Sequence, residues 1–311
     1  MALQTPRTTP NPAPAASPAS APVSAAARAA ALGFADSHGS EDQLQLAVGL
    51  WGAGLSGKTT HAMSFPNPVV FNFDPTTTSI TKQQKRVPFV QVRDTDQMFK
   101  LAQAAAQGEL TALVRAAFPD EFADYVVETV ITDSSTFQAA IVEEKLDTMT
   151  FASARGADDT RARYQAKLVM MNKYYRLLKH ARERAPNKES YMHVVTIHEK
   201  LQLSEKGDVV SIKADITGDY NRLIFQQNDA NFFCELQLAE VLGDKSGKIA
   251  QNTRPTPVVR SVPHTKWHNV VNDRVGGLGR YGQLPPIMHP PPNSKGGLWS
   301  VLEEHWLGNG K

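Results

Sequence analysis

The chain has one cysteine, Cys234, among 311 residues. A single thiol excludes an internal disulfide and a cysteine-rich zinc site. Within "NFFCELQL" it reads as a small buried residue of a strand. No apolar run is long enough to cross a membrane as a helix. Excess charge is also scarce: 33 basic against 31 acidic side chains leave +2, which by itself does not demand nucleic acid. Acids are missing altogether before Asp36. In the same region "TTPNPAPAASPASAPVSAAARAAA" has almost nothing to bury, so residues 1–40 are expected to be a disordered tail. Its prolines break the amphipathic helix that a transit peptide needs. The folded part is expected to begin near residue 41.

What is present is a cluster of glycines after an apolar run, "LWGAGLSGKTT" (50–60). Clustered glycines cost backbone entropy on folding and need a reason. Gly52, Gly57, Lys58 and Thr59 fit G-x-x-x-x-G-K-S/T, the phosphate-binding loop of P-loop nucleotide hydrolases. The nine residues Gly52, Ala53, Gly54, Leu55, Ser56, Gly57, Lys58, Thr59 and Thr60 are the expected ATP-binding loop. Their backbone N–H groups can cradle phosphates, Lys58 brings positive charge, and the Thr59 hydroxyl can ligate Mg²⁺. Lys58 is expected in an exposed loop with no core contact. The context is strand, loop, helix: "QLQLAVGLW" reads as a buried strand and "KTTHAMSF" as a short helix stopped by "PNP".

Downstream, strands and helices alternate. Strands are expected over Pro68–Asp74, Val87–Val92, Tyr125–Asp133 and Tyr191–His198. Helices are expected over Thr95–Gln107, with Thr95 as N-cap, and over 159–185. The alternation predicts an α/β fold whose mainly parallel sheet is covered by helices on both faces. Beyond 199 a hairpin turning at Glu205–Asp208, strands near 231–239 and 256–262, and a helix over Leu298–Leu307 are expected. That helix would dock through Trp299, Leu302 and Trp306. "LPPIMHPPPNSKGG" (284–297) reads as too proline-rich for regular structure.

A second acid must hold the Mg²⁺ shell, and "TVITDSS" supplies Asp133 at the end of an apolar strand. Capping of the next helix is its alternative role. Asp74 ends "VVFNFD" and can orient the attacking water, or open a turn before Pro75. His198 ends "HVVTIH", with Thr196 on the same face, and can contact the γ-phosphate or serve structurally. In the long helix, Tyr164, Leu168, Met171, Tyr175 and Leu178 form a core stripe. Lys173, Arg176, Lys179 and Arg184 lie mostly off it, as a solvated face or a track for DNA phosphates. The two histidines of "HTKWH" (264–268) lack the further ligands of a zinc site.

Taken together, "GLWGAGLSGKTTHAMSFPNPVVFNFD", "VVETVITDSSTF" and "HVVTIHEK" resemble the phage-type RecA-like AAA ATPase family, which includes the Sak-group single-strand annealing ATPases. The resemblance spans about 44–285. It implies a RecA-like core over 41–285, followed by a proline-rich segment and terminal helix over 286–311. It further implies Mg-ATP as cofactor, single-stranded DNA and a single-strand-binding protein as partners, and a cytoplasmic place in a bacterial host. Lys200 and Lys206 fall in the segment after His198, where RecA-like proteins carry a DNA-binding loop. The family commonly has Glu-Gly-Gly where this chain has Asp74-Pro75-Thr76, which bears on hydrolysis rate more than on nucleotide binding. Near the C-terminus it tends to carry Lys-x-Arg, here Asn272-Asp273-Arg274, with Lys266 or Arg280 to compensate. In RecA-like assemblies such residues act in the neighbouring subunit's site, so Lys266 and Arg274 imply a homo-oligomeric ring or filament. Two other readings stand beside the ATPase: a nucleotide-gated DNA-binding scaffold with little turnover, and a small-molecule P-loop kinase, for which no basic lid is evident.

Overall fold

The computed structural model describes residues 45–76, 78–81, 86–151, 159–206, 209–215, 224, 227–237, 256–260, 272–273, 284–285 and 287–306. The expected tail, "HTKWH", Lys266, Arg274, Arg280 and the Trp306 side chain lie outside them.

In chain order, β1 (Ala47–Gly52) leads to α1 (Lys58–Ala62) and β2 (Pro68–Asn72). A short α2 (Thr78–Thr81), β3 (Phe89–Gln91), α3 (Thr95–Gln107) and α4 (Leu110–Ala117) follow. Then come β4 (Thr129–Asp133), α5 (Ser135–Asp147), α6 (Thr160–Arg182), β5 (Met192–Leu203) and β6 (Val209–Ala214). The chain continues with β7 (Ala230–Gln237), β8 (Thr256–Arg260), β9 (Asn272–Asp273), β10 (Ile287–Met288), a 3-10 turn (Asn293–Lys295) and α7 (Gly297–Trp306).

The sheet order is β10-β8-β7-β1-β5-β4-β2-β3, with β6 on β5 and β9 on β7. Every pairing among β7, β1, β5, β4, β2 and β3 is parallel. The pairings of β8 with β7 and β10, β6 with β5, and β9 with β7 are antiparallel. This is the α/β architecture that the alternation predicts.

Successive strand residues point to opposite faces, and both faces are covered. Trp51, Phe71, Val130 and Val195 pack with Met98 of α3, Val142 of α5 and Met171, Tyr174 and Leu178 of α6. Their neighbours Leu50, Val70, Ile131 and Val194 point the other way, to Ala62, Met63, Phe65 and to Leu298 and Leu302 of α7. The inner strands β1, β2 and β4 are mostly apolar and buried along their whole length because both faces are covered.

Several local expectations are corrected. Asp94, not Thr95, caps α3: its Oδ1 accepts from Gln97 N at 2.8 Å, and Thr95 is buried as the first helical residue. The following helices α4 and α5 were not expected. Ser134 takes the N-cap position of α5, so Asp133 does not cap that helix. β5 does not stop at His198 but runs five residues further into its hairpin with β6, which places Lys200 on a strand. Arg184 lies beyond the end of α6 at Arg182. Within 284–297 the proline-rich chain still forms β10 and a 3-10 turn.

Candidate functional site

Ligands in parallel α/β sheets sit beyond the carboxyl ends of the strands. Here β5 separates β1, which feeds the glycine loop, from β4, which ends in Asp133. Gly52 pairs with His198 on one side and Cys234 on the other. A Cβ at Gly52 would lie 2.1 Å from the Cys234 carbonyl oxygen, so only glycine lets β1 leave the sheet this close to β7. Cys234 itself is free and buried. Gly57 turns the loop into α1 with φ 85°, a left-handed conformation that glycine adopts without strain. A Cβ at Gly54 would meet nothing within 4 Å, so the loop's outer side is open.

Lys58 is only 6% exposed, contrary to the exposed position expected. Its Nζ donates to Gly52 O at 2.9 Å and Ala53 O at 2.5 Å. The ammonium is thereby aimed into the loop. Burial pushes its pKa below the usual lysine value, against the opposing pull of Cys234, Asp133 and Glu199.

Thr59 Oγ1 donates to Asp133 Oδ2 at 2.9 Å, and Thr196 Oγ1 donates to Asp133 Oδ1. Burial raises the Asp133 pKa, the two hydroxyls lower it, the Asp74 charge raises it and Lys58 lowers it. A buried carboxylate left without partners would cost more than about 1–3 kcal/mol; here both oxygens are engaged. A hydroxyl and a carboxylate meeting beneath a phosphate loop are the oxygen donors that Mg²⁺ prefers. The residues present therefore fit Mg-ATP: Thr59 and Asp133 would hold the metal, Lys58 and the loop amides the phosphates.

Asp74 lies just past β2, tied to Asp133 through Asp74 N to Asp133 O at 3.3 Å. Its Oδ1 accepts from Thr76 N at 2.8 Å and Thr76 Oγ1 at 2.9 Å, a turn of the kind Asp commonly builds. Asn72 Nδ2 and Gln91 Nε2 both donate to its carbonyl, at 3.1 and 2.9 Å. His198 N donates to Thr136 Oγ1 at 3.0 Å, and its ring lies edge-on to Phe137 at 5.5 Å. Burial lowers the His198 pKa, Lys58 adds to this, and Asp74 and Asp215 oppose it. Lys58, Thr59, Asp74, Asp133, Thr196 and His198 thus share one electrostatic neighbourhood.

The basic residues are placed elsewhere. Lys173, Arg176 and Lys179 are exposed on α6, with Lys173 Nζ 4.8 Å from the Phe99 ring centroid. Arg184 is exposed and donates to Gln45 at 3.4 Å. Lys200 lies 3.9 Å from Asp215, and Lys206 is exposed in the β5–β6 turn.

Sequence reasoning missed Glu199 and Glu235. Glu199 is half-buried, its pKa raised by burial and by Glu235 and lowered by Lys58. Arg260 holds Glu235 from Nε and Nη2, both at 2.7 Å. A charged residue directly after the buried Phe232, Phe233 and Cys234 was the available signal.

Two solved structures are similar in part. One is described as a prototypical ATPase from the type III secretion system of pathogenic bacteria: 14% identity, TM-score 0.37, covering 61% of this chain and 52% of that one. This chain thus spans about half the length of that ATPase. The other is the flagellar accessory protein FlaH from Methanocaldococcus jannaschii: 11% identity, TM-score 0.31, covering 70% and 78%. No curated protein matches the sequence. No helix among the described residues is long and apolar enough to cross a membrane. A family model described as an AAA domain matches residues 45–261, from the approach to β1 to the end of β8. The chain belongs to this AAA domain family.

Proposed function

We propose that the chain is a RecA-like ATPase that binds Mg-ATP at the C-terminal edge of the sheet and acts on single-stranded DNA, as an annealing or mediator protein of phage recombination or replication. The observation that carries the nucleotide reading is the contact of Thr59 with Asp133 beneath a loop into which Lys58 is aimed. Bound Mg²⁺ would neutralise charge on the β- and γ-phosphates. Lys58 neutralises the transferring phosphoryl group, Asp74 orients water, and His198 reports on the γ-phosphate.

The DNA reading rests on the family resemblance and is supported by the exposed cations Lys173, Arg176 and Lys179 on one helix. Lys200, Lys206 and Arg184 extend the basic set. Assembly into a ring or filament would bring Lys266 and Arg274 to a neighbour's nucleotide. The chain would act in the cytoplasm of a bacterial host, beside a single-strand-binding protein.

A second reading has its own support. One Asp74 oxygen is occupied by Thr76, which favours a nucleotide-gated DNA scaffold with slow turnover. Phosphate release with and without single-stranded DNA tests both. DNA-stimulated release supports the ATPase. Tight ATP binding with negligible release supports the scaffold, and absence of ATP binding rejects both.

A further inference from the structure

The phosphate-binding helix α1 has five residues. So short a helix does not hold itself, since isolated helices below roughly 12 residues are marginal in water. Its own bonds are few: His61 N donates to Gly57 O at 2.8 Å and Met63 N to Thr59 O at 2.9 Å. The next amide leaves the pattern, because Ser64 N donates to His61 O at 3.1 Å. Thr60 O lies in this last turn, where carbonyls accept from groups outside the helix.

One such group comes from the far end of the sequence. Asn293 Nδ2 donates to Thr60 O at 2.7 Å, across 233 residues. Trp299 N, in α7, donates to Ser64 Oγ at 3.0 Å. Ser64 Oγ in turn donates to His61 O at 2.6 Å, so one hydroxyl joins α7 to the end of α1. The Trp299 ring lies 5.1 Å from that of Phe65, and Leu298 and Leu302 are wholly buried beside it. The fit leaves no slack: a Cβ at Gly297 would lie 2.4 Å from both Ser64 Cβ and Asn293 Oδ1. This arm lies beyond residues 45–261, the stretch matched by the AAA domain model.

We propose that the C-terminal arm, Asn293 to Leu302, is a clamp that sets the position of the phosphate-binding helix, with Asn293 as a positioning residue for nucleotide binding. The proposal rests on the reading of this P-loop as an ATP site. Lys58 and Thr59 are the first two residues of α1 and Thr60 is the third. Less than one helical turn therefore connects the clamp to the ammonium and hydroxyl that would meet the nucleotide.

The test uses the full chain and calorimetric titration with Mg²⁺ and a slowly hydrolysed ATP analogue, at a temperature where circular dichroism shows each variant folded. Asn293→Ala removes the bond to Thr60, and Ser64→Ala removes the hydroxyl between α1 and α7. Tyr125→Phe is the control: it removes a bond to Pro68 O of 2.8 Å at the opposite edge of the sheet. The clamp predicts that Asn293→Ala and Ser64→Ala each weaken Kd by about threefold to tenfold, the value of one hydrogen bond. Tyr125→Phe lowers Tm and leaves Kd at the parent value. Lowered Tm in all three with the parent Kd retained overturns the clamp and leaves the nucleotide site standing. A parent chain that binds no nucleotide overturns both.

Discussion

At the C-terminal edge of the sheet Lys58, Asp133 and Thr196 are almost wholly buried, whereas at the N-terminal edge Asp120, Glu121, Asp124 and Glu128 are exposed. The exposed acids surround a hollow of about 610 Å³ with Asn67 and Tyr125. By size alone that hollow would draw attention, but its acidic lining has the wrong charge for a phosphate. The other edge binds its polar groups to one another and shifts the pKa values of Lys58, Asp133, His198 and Glu199. Burying charge is costly unless it is paired, and folds keep such arrangements at working sites. The held charges, not the open volume, single out the proposed nucleotide site.

The largest expected effect belongs to Gly52. Gly52→Ala drives a Cβ into the Cys234 carbonyl and must part β1 from β7. A loss on the order of 2–4 kcal/mol in urea unfolding, together with loss of nucleotide binding, is expected. Tyr125→Phe at the other edge should lose about 1 kcal/mol. Equal behaviour of the two variants would erase the contrast between the edges.

The pH dependence comes next. His193 Nε2 is bonded to Thr132 Oγ1 at 3.0 Å, and burial, with Arg182 nearby, pushes its pKa down to about 3. Burial likewise pushes His61 down to about 4. Below the ordinary histidine value of about 6.5, the unfolded chain takes up protons that the folded chain refuses. Stability therefore falls with falling pH, by up to about 1.4 kcal/mol per pH unit for each histidine. His193→Gln should flatten urea midpoints measured between pH 7 and pH 4. An unchanged slope would show that His193 is already charged in the folded chain.

Smaller effects separate roles within and beyond the site. Asp74→Asn should cut single-turnover hydrolysis by about tenfold with little change in ATP affinity, because water orientation acts only in the transition state. Asp74→Glu should keep the rate, and equal rates for parent and Asn variant would remove Asp74 from the mechanism. Changing Lys173, Arg176 and Lys179 to Ala should lower the salt slope of single-stranded DNA binding by about 2 and leave ATP binding untouched. An unchanged slope would move the DNA contact to the β5–β6 hairpin.

The sequence made the glycine loop, the strand ending in Asp133 and the alternating elements legible, because each is written in local spacing. Distant neighbours were not legible. That Lys58 is buried depends on the strands flanking β1, and that His198 sits mid-strand depends on β6 pairing with the residues beyond it. Asp94 displaced Thr95 as a cap because one side chain, not the composition, decides which residue bonds Gln97 N. The bond from Asn293 to Thr60 has no local signature, since nothing in a proline-rich stretch says which helix it will meet.

The central claim is that the buried charges of the C-terminal edge bind the phosphates of ATP, and calorimetry on Lys58→Ala tests it most directly. Removing a charge that a phosphate would contact should weaken Mg-ATP binding by on the order of a hundredfold, about 2–3 kcal/mol. Circular dichroism should show the fold retained, with any loss of stability confined to the bonds from Lys58 to Gly52 and Ala53. The account predicts saturable binding by the parent chain and none measurable by the variant at the same concentrations. A folded Lys58→Ala chain that binds Mg-ATP as tightly as its parent would contradict it.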